Sequence, residues 1–326
     1  MSKKILVTGG AGYIGSHTTL ALLEAGYDVV VYDNLSTGRA EAVLPPARLV
    51  VADLAETDRL DALMRDEGFA AVLHFAGSIV VPESVENPLK YYDNNTGNTT
   101  ELIRLTVKNR IPRFIFSSTA AVYGMPSTPA VTEDSPLDPI NPYGRSKLMS
   151  EWVLQDTAAA HPEFSYIALR YFNVAGADPK GRVGQCTPNA THLFKVASQA
   201  ALARREALHV FGTDYPTPDG TCIRDYIHVT DLAQAHVLAL RHLERGNPSG
   251  VFNCGYGRGY SVREIVAAVQ KASGVDFPVI DSPRRAGDPP ALVADCSRIR
   301  QAMDWTPLHD DIHEIALSAY TWEQRL

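Results

Sequence analysis

Cysteine is scarce, and the four present (Cys186, Cys222, Cys254 and Cys296) stand far apart, with no paired spacing that suggests a zinc site or a redox couple. The ten histidines show no metal-ligand spacing either, so no metal is expected. Long apolar runs are missing, and none reaches the ~18 residues of a membrane span. Met1-Ser2-Lys3-Lys4 leads into a short strand-like run and not into a signal peptide. Positive charge is not in excess: 30 lysines and arginines against 37 acidic residues leave a formal charge of −7. That balance argues against nucleic acid as the main partner, although a local group of cations can still hold an anion. No internal repeat, low-complexity tract or long charge block interrupts the chain. The expectation left by these absences is a reduced, soluble, cytoplasmic protein that does not associate with membranes.

What the sequence does have is the composition of a globular protein. Hydrophobic residues make up 45% and charged residues 21%, which excludes a disordered chain. With 326 residues, two domains are expected, or one large domain with an appendage. A chain of this length buries about three quarters of its unfolded surface and needs no disulfide or metal to hold it together.

Short β-branched runs alternate with helical patterns through the first half. Ile5-Leu6-Val7 is followed by an apolar-periodic stretch, Tyr13 to Leu23, that Gly26 closes. Val29-Val30-Val31-Tyr32, Leu49-Val50-Val51, Val72-Leu73-His74-Phe75, Phe114-Ile115-Phe116 and Ile167-Ala168-Leu169 come next. Continuous apolar runs mark strands covered on both faces, and helices between them mark a parallel sheet built by right-handed crossovers. After Gly176 the texture changes. Ala177 to Asn189 and Thr213 to Gly220 are turn-rich, and helical patterns recur at Leu193–Arg205, Val229–Leu243, Val262–Ala272 and Ile312–Trp322. The fold class expected is α/β: a Rossmann-type doubly wound parallel sheet over residues 1–175, with a smaller mixed α/β domain over 176–326. That boundary is soft, because later elements can return to the first sheet.

Gly10-Ala11-Gly12-Tyr13-Ile14-Gly15 follows the first strand and opens the first helix. Small residues let the backbone approach a pyrophosphate, and the helix start offers unpaired N–H groups with a partial positive charge. Asp33 closes the second strand 18 residues after Gly15. A carboxylate there accepts from the adenosine ribose and repels a ribose phosphate, which favours NAD over NADP. Asp53, at the end of the third strand, stands where an adenine contact falls, and it reads equally well as a loop-start aspartate.

Asn141-Pro142-Tyr143-Gly144-Arg145-Ser146-Lys147 has the marks of a helix start, with Asn141 as cap and Pro142 in the first turn. Tyr143 and Lys147 are four residues apart and share a helical face. A tyrosine of ordinary pKa, about 10, is ionised to roughly one part in a thousand at neutral pH. Lowering that pKa by about 3 units takes roughly 4 kcal/mol, to be supplied by an adjacent ammonium and a positive nicotinamide ring. The hydroxyl cluster Ser117-Ser118-Thr119 closes a preceding strand, and strand ends are where open α/β sheets place ligands.

In this order the motifs resemble the extended short-chain dehydrogenase/reductase family, and more closely its UDP-hexose 4-epimerases. The resemblance runs along essentially the whole chain. It is carried by Gly9-Gly10-Ala11-Gly12-Tyr13-Ile14-Gly15-Ser16-His17, Tyr91-Tyr92-Asp93-Asn94-Asn95, Ser118-Thr119-Ala120-Ala121-Val122-Tyr123-Gly124, Arg170-Tyr171-Phe172-Asn173, Arg224-Asp225-Tyr226-Ile227-His228-Val229 and Pro283-Arg284-Arg285-Ala286-Gly287-Asp288. It implies Tyr143 as catalytic base, Lys147 as its electrostatic partner and nicotinamide-ribose ligand, and Thr119 as hydrogen-bond partner of the sugar or of Tyr143. The cofactor contacts implied are Gly9, Gly12, Tyr13, Ile14, Gly15, Asp33, Asn34, Asp53, Leu54, Phe75, Ala76, Gly77, Asn94, Ser117, Tyr143, Lys147 and Phe172. For the substrate they are Thr119, Tyr143, Asn173, His192, Leu193, Arg224, Arg285, Asp288 and Leu292. A diphosphate needs guanidinium forks, and Arg224 and Arg285 supply them.

The implied activity interconverts UDP-glucose and UDP-galactose by transient oxidation at C4 with tightly held NAD. The 4-keto intermediate rotates before hydride returns. The resemblance also implies a homodimer packed through Tyr91–Val107 and Pro142–Ala160. Four positions depart from patterns familiar in the family. Ile79 replaces a frequent lysine, Thr119 a frequent serine, and His192 an asparagine used by some members. Leu292, at the hexose pocket, is of intermediate size and leaves UDP-N-acetyl sugars open. A 4,6-dehydratase or decarboxylase is disfavoured because Ala120-Ala121, and no carboxylate, follow Thr119. A non-catalytic NAD-dependent sensor is disfavoured because Tyr143 and Lys147 are both kept.

Overall fold

The structure is a computed structural model that describes residues 2–188, 190–285 and 287–326. Met1, Asn189 at the end of the first turn-rich stretch, and Ala286 within the Pro283–Asp288 motif lie outside the described residues. The chain begins β1 (Lys4–Thr8), α1 (Tyr13–Glu24), β2 (Asp28–Asp33), β3 (Arg48–Val51), α2 (Thr57–Glu67) and β4 (Ala71–His74). It continues through α3 (Val81–Glu86), α4 (Pro88–Tyr91), a π-helical turn at Tyr92–Gly97, α5 (Asn98–Lys108), β5 (Arg113–Thr119) and the short β6 (Ala130–Val131). Then come α6 (Pro142–Ala160), β7 (Ser165–Tyr171), β8 (Asn173–Ala175), α7 (Leu193–Ala201), β9 (Leu208–Phe211), β10 (Ile223–His228) and α8 (Val229–Glu244). The last elements are β11 (Gly250–Cys254), β12 (Gly259–Ser261), α9 (Val262–Ser273), β13 (Val279–Ser282), β14 (Ala291–Ala294), α10 (Ser297–Met303) and α11 (Ile312–Glu323).

Seven strands form one parallel sheet in the order β3-β2-β1-β4-β5-β7-β11. All six strands expected from the apolar runs are in it. Alternate residues enter opposite cores, because successive side chains of a strand point to opposite faces. Ile5, Val7, Val29 and Val31 join Leu22 of α1 and Leu232 and Leu240 of α8 on one face. Leu6, Val30, Tyr32 and Val72 join Leu60 and Met64 of α2 and Leu102 and Leu105 of α5 on the other. Burying each such side chain contributes about 1.5–3 kcal/mol. Both faces are covered, which is why these strands read as unbroken apolar runs. Strand order reverses direction between β1 and β4, and that switch point opens a crevice at the carboxyl ends of the strands.

A smaller sheet runs β12-β10-β14-β6, with β8 also on β10, and β9 pairs with β13. Sequence order and sheet membership interleave: β11 and α8 come from beyond residue 175 and pack into the main layer, while β6 comes from before it and joins the smaller sheet. The helix expected over Leu193–Arg205 stops at Ala201. Ala203 takes a left-handed conformation at φ 54°, which turns Arg204 so that its Nη1 donates to the Glu323 carbonyl at 2.7 Å. No helix among the described residues is long and apolar enough to cross a membrane.

Candidate active site

The crevice floor is the turn from β1 to α1. Gly9 has φ +73°, and a Cβ there would lie 2.4 Å from the Ala76 nitrogen; a Cβ on Gly15 would lie 2.2 Å from the Gly9 carbonyl oxygen. The first turn of α1 is thus pressed onto the glycine turn, and the glycine turn onto the end of β4. Gly12 precedes α1 with no side-chain cap, and the first turn carries no acidic residue. The positive end of the helix and its N–H groups face the crevice, so the cradle fits a pyrophosphate. Asp33, at the end of β2, accepts the Ala11 N–H at 2.9 Å and the Leu35 N–H at 2.8 Å. Its carboxylate is fixed at the cradle rim with one lone pair on each oxygen still open. Asn34 donates to Asp53 at 2.7 Å, and Asp53 also accepts the Ala55 N–H at 2.9 Å, the geometry of a loop-start aspartate. Leu54 is buried in the core beneath them. Tyr13 reaches across to the Gly176 carbonyl at 2.6 Å, Ile14 packs on the core beside it, and both hold α1 against the C-terminal half.

Thr119 ends β5; its Oγ1 accepts the Ala121 N–H at 3.1 Å, and its hydroxyl stands beside the Tyr143 phenol. Tyr143 stands in the first turn of α6, where the Asn141 side chain accepts the Gly144 N–H at 2.9 Å and Pro142 opens the helix. A Cβ on Gly144 would sit 2.7 Å from the Ala121 carbonyl oxygen, so glycine lets α6 approach the turn after β5. Lys147, one turn on, is 2% exposed. Its Nζ donates to the Ser117 carbonyl at 3.0 Å and lies 4.9 Å from the centre of the Phe116 ring.

Burial pushes the Tyr143 phenol up, against the opposing effect of the neighbouring Thr119 hydroxyl, and burial pushes the Lys147 amine down to about 8. Both groups are stripped of water, and Nζ is turned to the Ser117 carbonyl. Its charge is felt at His74, held down to about 3 by burial first and Lys147 second. Burial thus opposes both charged forms, the phenolate and the ammonium.

The rest of the channel wall is close by. Phe75 and Ala76 follow β4, with Phe75 against the His236 ring at 4.8 Å. The Cβ position of Gly77 is 3.5 Å from Lys147 Nζ and 3.1 Å from Asn95 Oδ1. Asn94 donates to Ser78 Oγ at 3.0 Å. Ser117 Oγ is hydrogen-bonded to the Tyr171 hydroxyl, and Phe172 is buried just beyond.

On the other side of the crevice, Arg224 of β10 and Leu292 of β14 are register partners. Arg224 Nη2 donates to Asp288 Oδ1 at 3.4 Å, and Asn173 of β8 pairs with Tyr226 two residues along. Arg285 lies 4.0 Å over the Phe211 ring and makes no ion pair among the described residues. Its neighbour Arg284 is committed elsewhere, to Asp214 at 2.6 Å and the Tyr215 ring at 4.1 Å. His192 and Leu193 lie at the start of α7. His192 Nδ1 meets Gln185 Nε2 at 2.7 Å, and burial holds the ring neutral with a pKa near 4.

Several neighbours were not singled out from sequence. Asn95 bridges Ser78, whose N–H it accepts at 2.7 Å, to Ser146 Oγ at 3.1 Å. Tyr91 stands edge-on to Tyr143 at 6.5 Å. Asp225 accepts three backbone N–H groups, from Tyr256, Gly257 and Ala294. Each lies in a motif quoted for the resemblance, which is the signal that pointed to it.

A glycine cradle at the switch point of a parallel sheet, with tyrosine, lysine and threonine meeting at the neighbouring strand ends, defines a dinucleotide-dependent enzyme of the Rossmann class. Residues 5–255 match the NAD dependent epimerase/dehydratase family, and the chain belongs to that family. It is 58% identical over 325 residues to a UDP-glucose 4-epimerase of Azospirillum brasilense, spanning 100% of this chain and 93% of that protein. The structure of the UDP-Glc/GlcNAc 4-epimerase from Campylobacter jejuni is 52% identical, with TM-score 0.88 and 100% of both chains covered. That of UDP-glucose 4-epimerase from Brucella ovis in complex with NAD is 47% identical, with TM-score 0.95 and 98% of both chains covered.

Proposed function

We propose that this enzyme is an isomerase that inverts C4 of the hexose in UDP-glucose and UDP-galactose. The observation that carries the reading is the meeting of Thr119, Tyr143 and Lys147 at one rim of the crevice, opposite Arg224, Asp288 and Arg285 at the other. The full-length likeness to UDP-glucose 4-epimerases at 58% identity supports it.

Bound NAD supplies a hydride acceptor that later acts as donor. The cradle residues Gly9, Gly12 and Gly15 and the first turn of α1 hold its pyrophosphate, Asp33 its ribose, and Lys147 its nicotinamide ribose. Tyr143 removes the proton from the sugar O4 and returns it after the sugar has turned. Thr119 orients that phenol, and its methyl restricts the hydroxyl to few rotamers. Arg224 and Arg285 grip the diphosphate and Asp288 accepts from the uridine ribose, while Asn173, His192, Leu193 and Leu292 border the hexose. Charged anchors at one rim and a single base at the other leave the hexose free to present both faces.

The test is to incubate the purified protein with UDP-galactose and no added NAD, then to analyse the sugar nucleotides. Formation of UDP-glucose is expected. A 4-keto-6-deoxy product would make it a dehydratase, and unchanged substrate a sensor. The Campylobacter jejuni relative is named for both UDP-Glc and UDP-GlcNAc, so UDP-N-acetylglucosamine belongs in a parallel incubation. We also propose two units, 1–175 for NAD and 176–326 for the UDP-sugar, with α8 and β11 returning to the first, a cytoplasmic location to be checked by fractionation, and a homodimer. The apolar side chains of α5 face the sheet. Exposed apolar side chains stand on α3, α4 and α6, among them Val85 63%, Leu89 71% and Trp152 52% exposed. Sedimentation of the Trp152→Asp variant as a monomer would support pairing there.

A further inference from the structure

We propose that Glu151 and Arg170 form a buried positioning pair that fixes where Tyr143 and Lys147 stand relative to Thr119, an inference that rests on the C4 chemistry assigned to this site. Glu151 follows Lys147 by one helical turn and Tyr143 by two, ~12 Å of helix from the phenol to the carboxylate. Its side chain is 4% exposed, as is that of Arg170 on β7. The guanidinium donates through Nη2 to Oε2 at 2.6 Å and through Nε to Oε1 at 3.0 Å, and Ser118 donates to Oε1.

The placement of these partners in the sheet is what gives the pair its reach. Ser118 of β5, Arg170 of β7 and Asn253 of β11 are register neighbours on three adjacent strands. Each stands one residue before the strand-end layer of Thr119, Tyr171 and Cys254. Arg170 Nη1 also donates to the Tyr123 hydroxyl at 3.1 Å, and that hydroxyl donates to Asn253 Oδ1 at 2.6 Å. A single helix carboxylate is therefore tied to two neighbouring strands at one level. Sliding α6 along the sheet would strand a charge in the interior, so the helix has one register. Two ions bury themselves at high cost and add little stability over well-packed apolar residues, but they discriminate sharply between geometries. All of these side chains are buried. Their contribution to catalysis is to hold the phenol and amine in reach of the reacting atoms, where a shift of 1 Å costs about a hundredfold in rate.

The experiment compares the full-length protein with Glu151→Gln and with the double variant Glu151→Leu/Arg170→Met, which removes both charges and refills the volume. Measured for each are kcat and KM with UDP-galactose, reduced nicotinamide formed in one turnover, and amide hydrogen exchange across 141–150. Expected in both variants is hydride transfer slowed about a hundredfold, KM within about twofold of the unmodified protein, and faster exchange across 141–150. If the single variant does not fold, the double variant decides alone. A folded double variant with unmodified rate and exchange would overturn the proposal, as would a loss confined to KM. Should the unmodified protein reduce its nicotinamide without forming UDP-glucose, the epimerase reading fails, while the ratio of transfer rates still tests the pair.

Discussion

Gly15 offers the sharpest test of the cradle, because a helical glycine ordinarily gains from replacement by alanine by roughly 0.5–1 kcal/mol. At this position the sign reverses. The added methyl would meet the Gly9 carbonyl oxygen at 2.2 Å and the Gly10 Cα at 2.8 Å, both of them backbone atoms that cannot rotate away. Relief requires α1 to move about 1 Å from the glycine turn, at a cost of about 1–3 kcal/mol for overpacking. With roughly 2 °C lost per kcal/mol in a chain of this size, Gly15→Ala should melt about 2–6 °C lower. The same movement withdraws the helix N–H groups from the phosphates. Each such charged hydrogen bond is worth ~1.5–3 kcal/mol, so NAD affinity should drop at least tenfold. The assay is NAD released on denaturing the purified protein, together with thermal melting, beside Gly97→Ala as control. Gly97 has an ordinary helical φ of −62° and its Cβ would meet nothing nearer than 3.7 Å, so that variant should keep its NAD and melt no lower, gaining up to about 2 °C. If Gly15→Ala melts no lower and retains a full equivalent of nucleotide, the packing argument for the cradle is wrong.

Three further outcomes are expected. Tyr143→Phe should retain NAD but lose about 10²–10⁴ in kcat, the range for a missing acid–base group; turnover within tenfold of the unmodified protein would exclude the phenol as base. In the NAD-free chain the Lys147 pKa is depressed to about 8 from 10.5. The unfolded chain therefore binds more protons between those values, and the destabilisation from burying the charged amine, full below about pH 8, shrinks as pH rises towards 10.5. Denaturant unfolding from pH 7 to 10 should show the protein gaining on Lys147→Met over that window, and a constant difference would contradict it. Arg285→Ala should raise KM for UDP-galactose about tenfold to a hundredfold, the loss of one charged hydrogen-bonding group. An effect on kcat alone would place that guanidinium elsewhere.

Local pattern carried most of this architecture. The six strands read from apolar runs and the helix starts at Tyr13 and Asn141-Pro142 depend on nearest neighbours, and they stand where expected. What sequence does not carry is pairing between distant segments. Nothing local announces that Gly250–Cys254 extends the main sheet, or that Ala130–Val131 leaves it, since both are settled by partners far along the chain. The same holds for electrostatics. Tyr143 and Lys147 share a helix face as their spacing says, but the direction in which their pKa values move depends on how dry the surrounding crevice is. Ala203 closed α7 early because tertiary bonds to Glu323 outweighed an otherwise continuous helical run.

The way β11 and α8 thread back has a bearing on how this protein can be cut. A fragment ending near residue 175 would leave β7 with an unpaired edge and strip α1 of the helix that shields it, exposing backbone and apolar side chains that invite self-association. The nucleotide half is not a transplantable module. Any chimaera that exchanges sugar-binding parts with a relative must carry residues 229–254 along with the host, and splice only in the loops on either side of them.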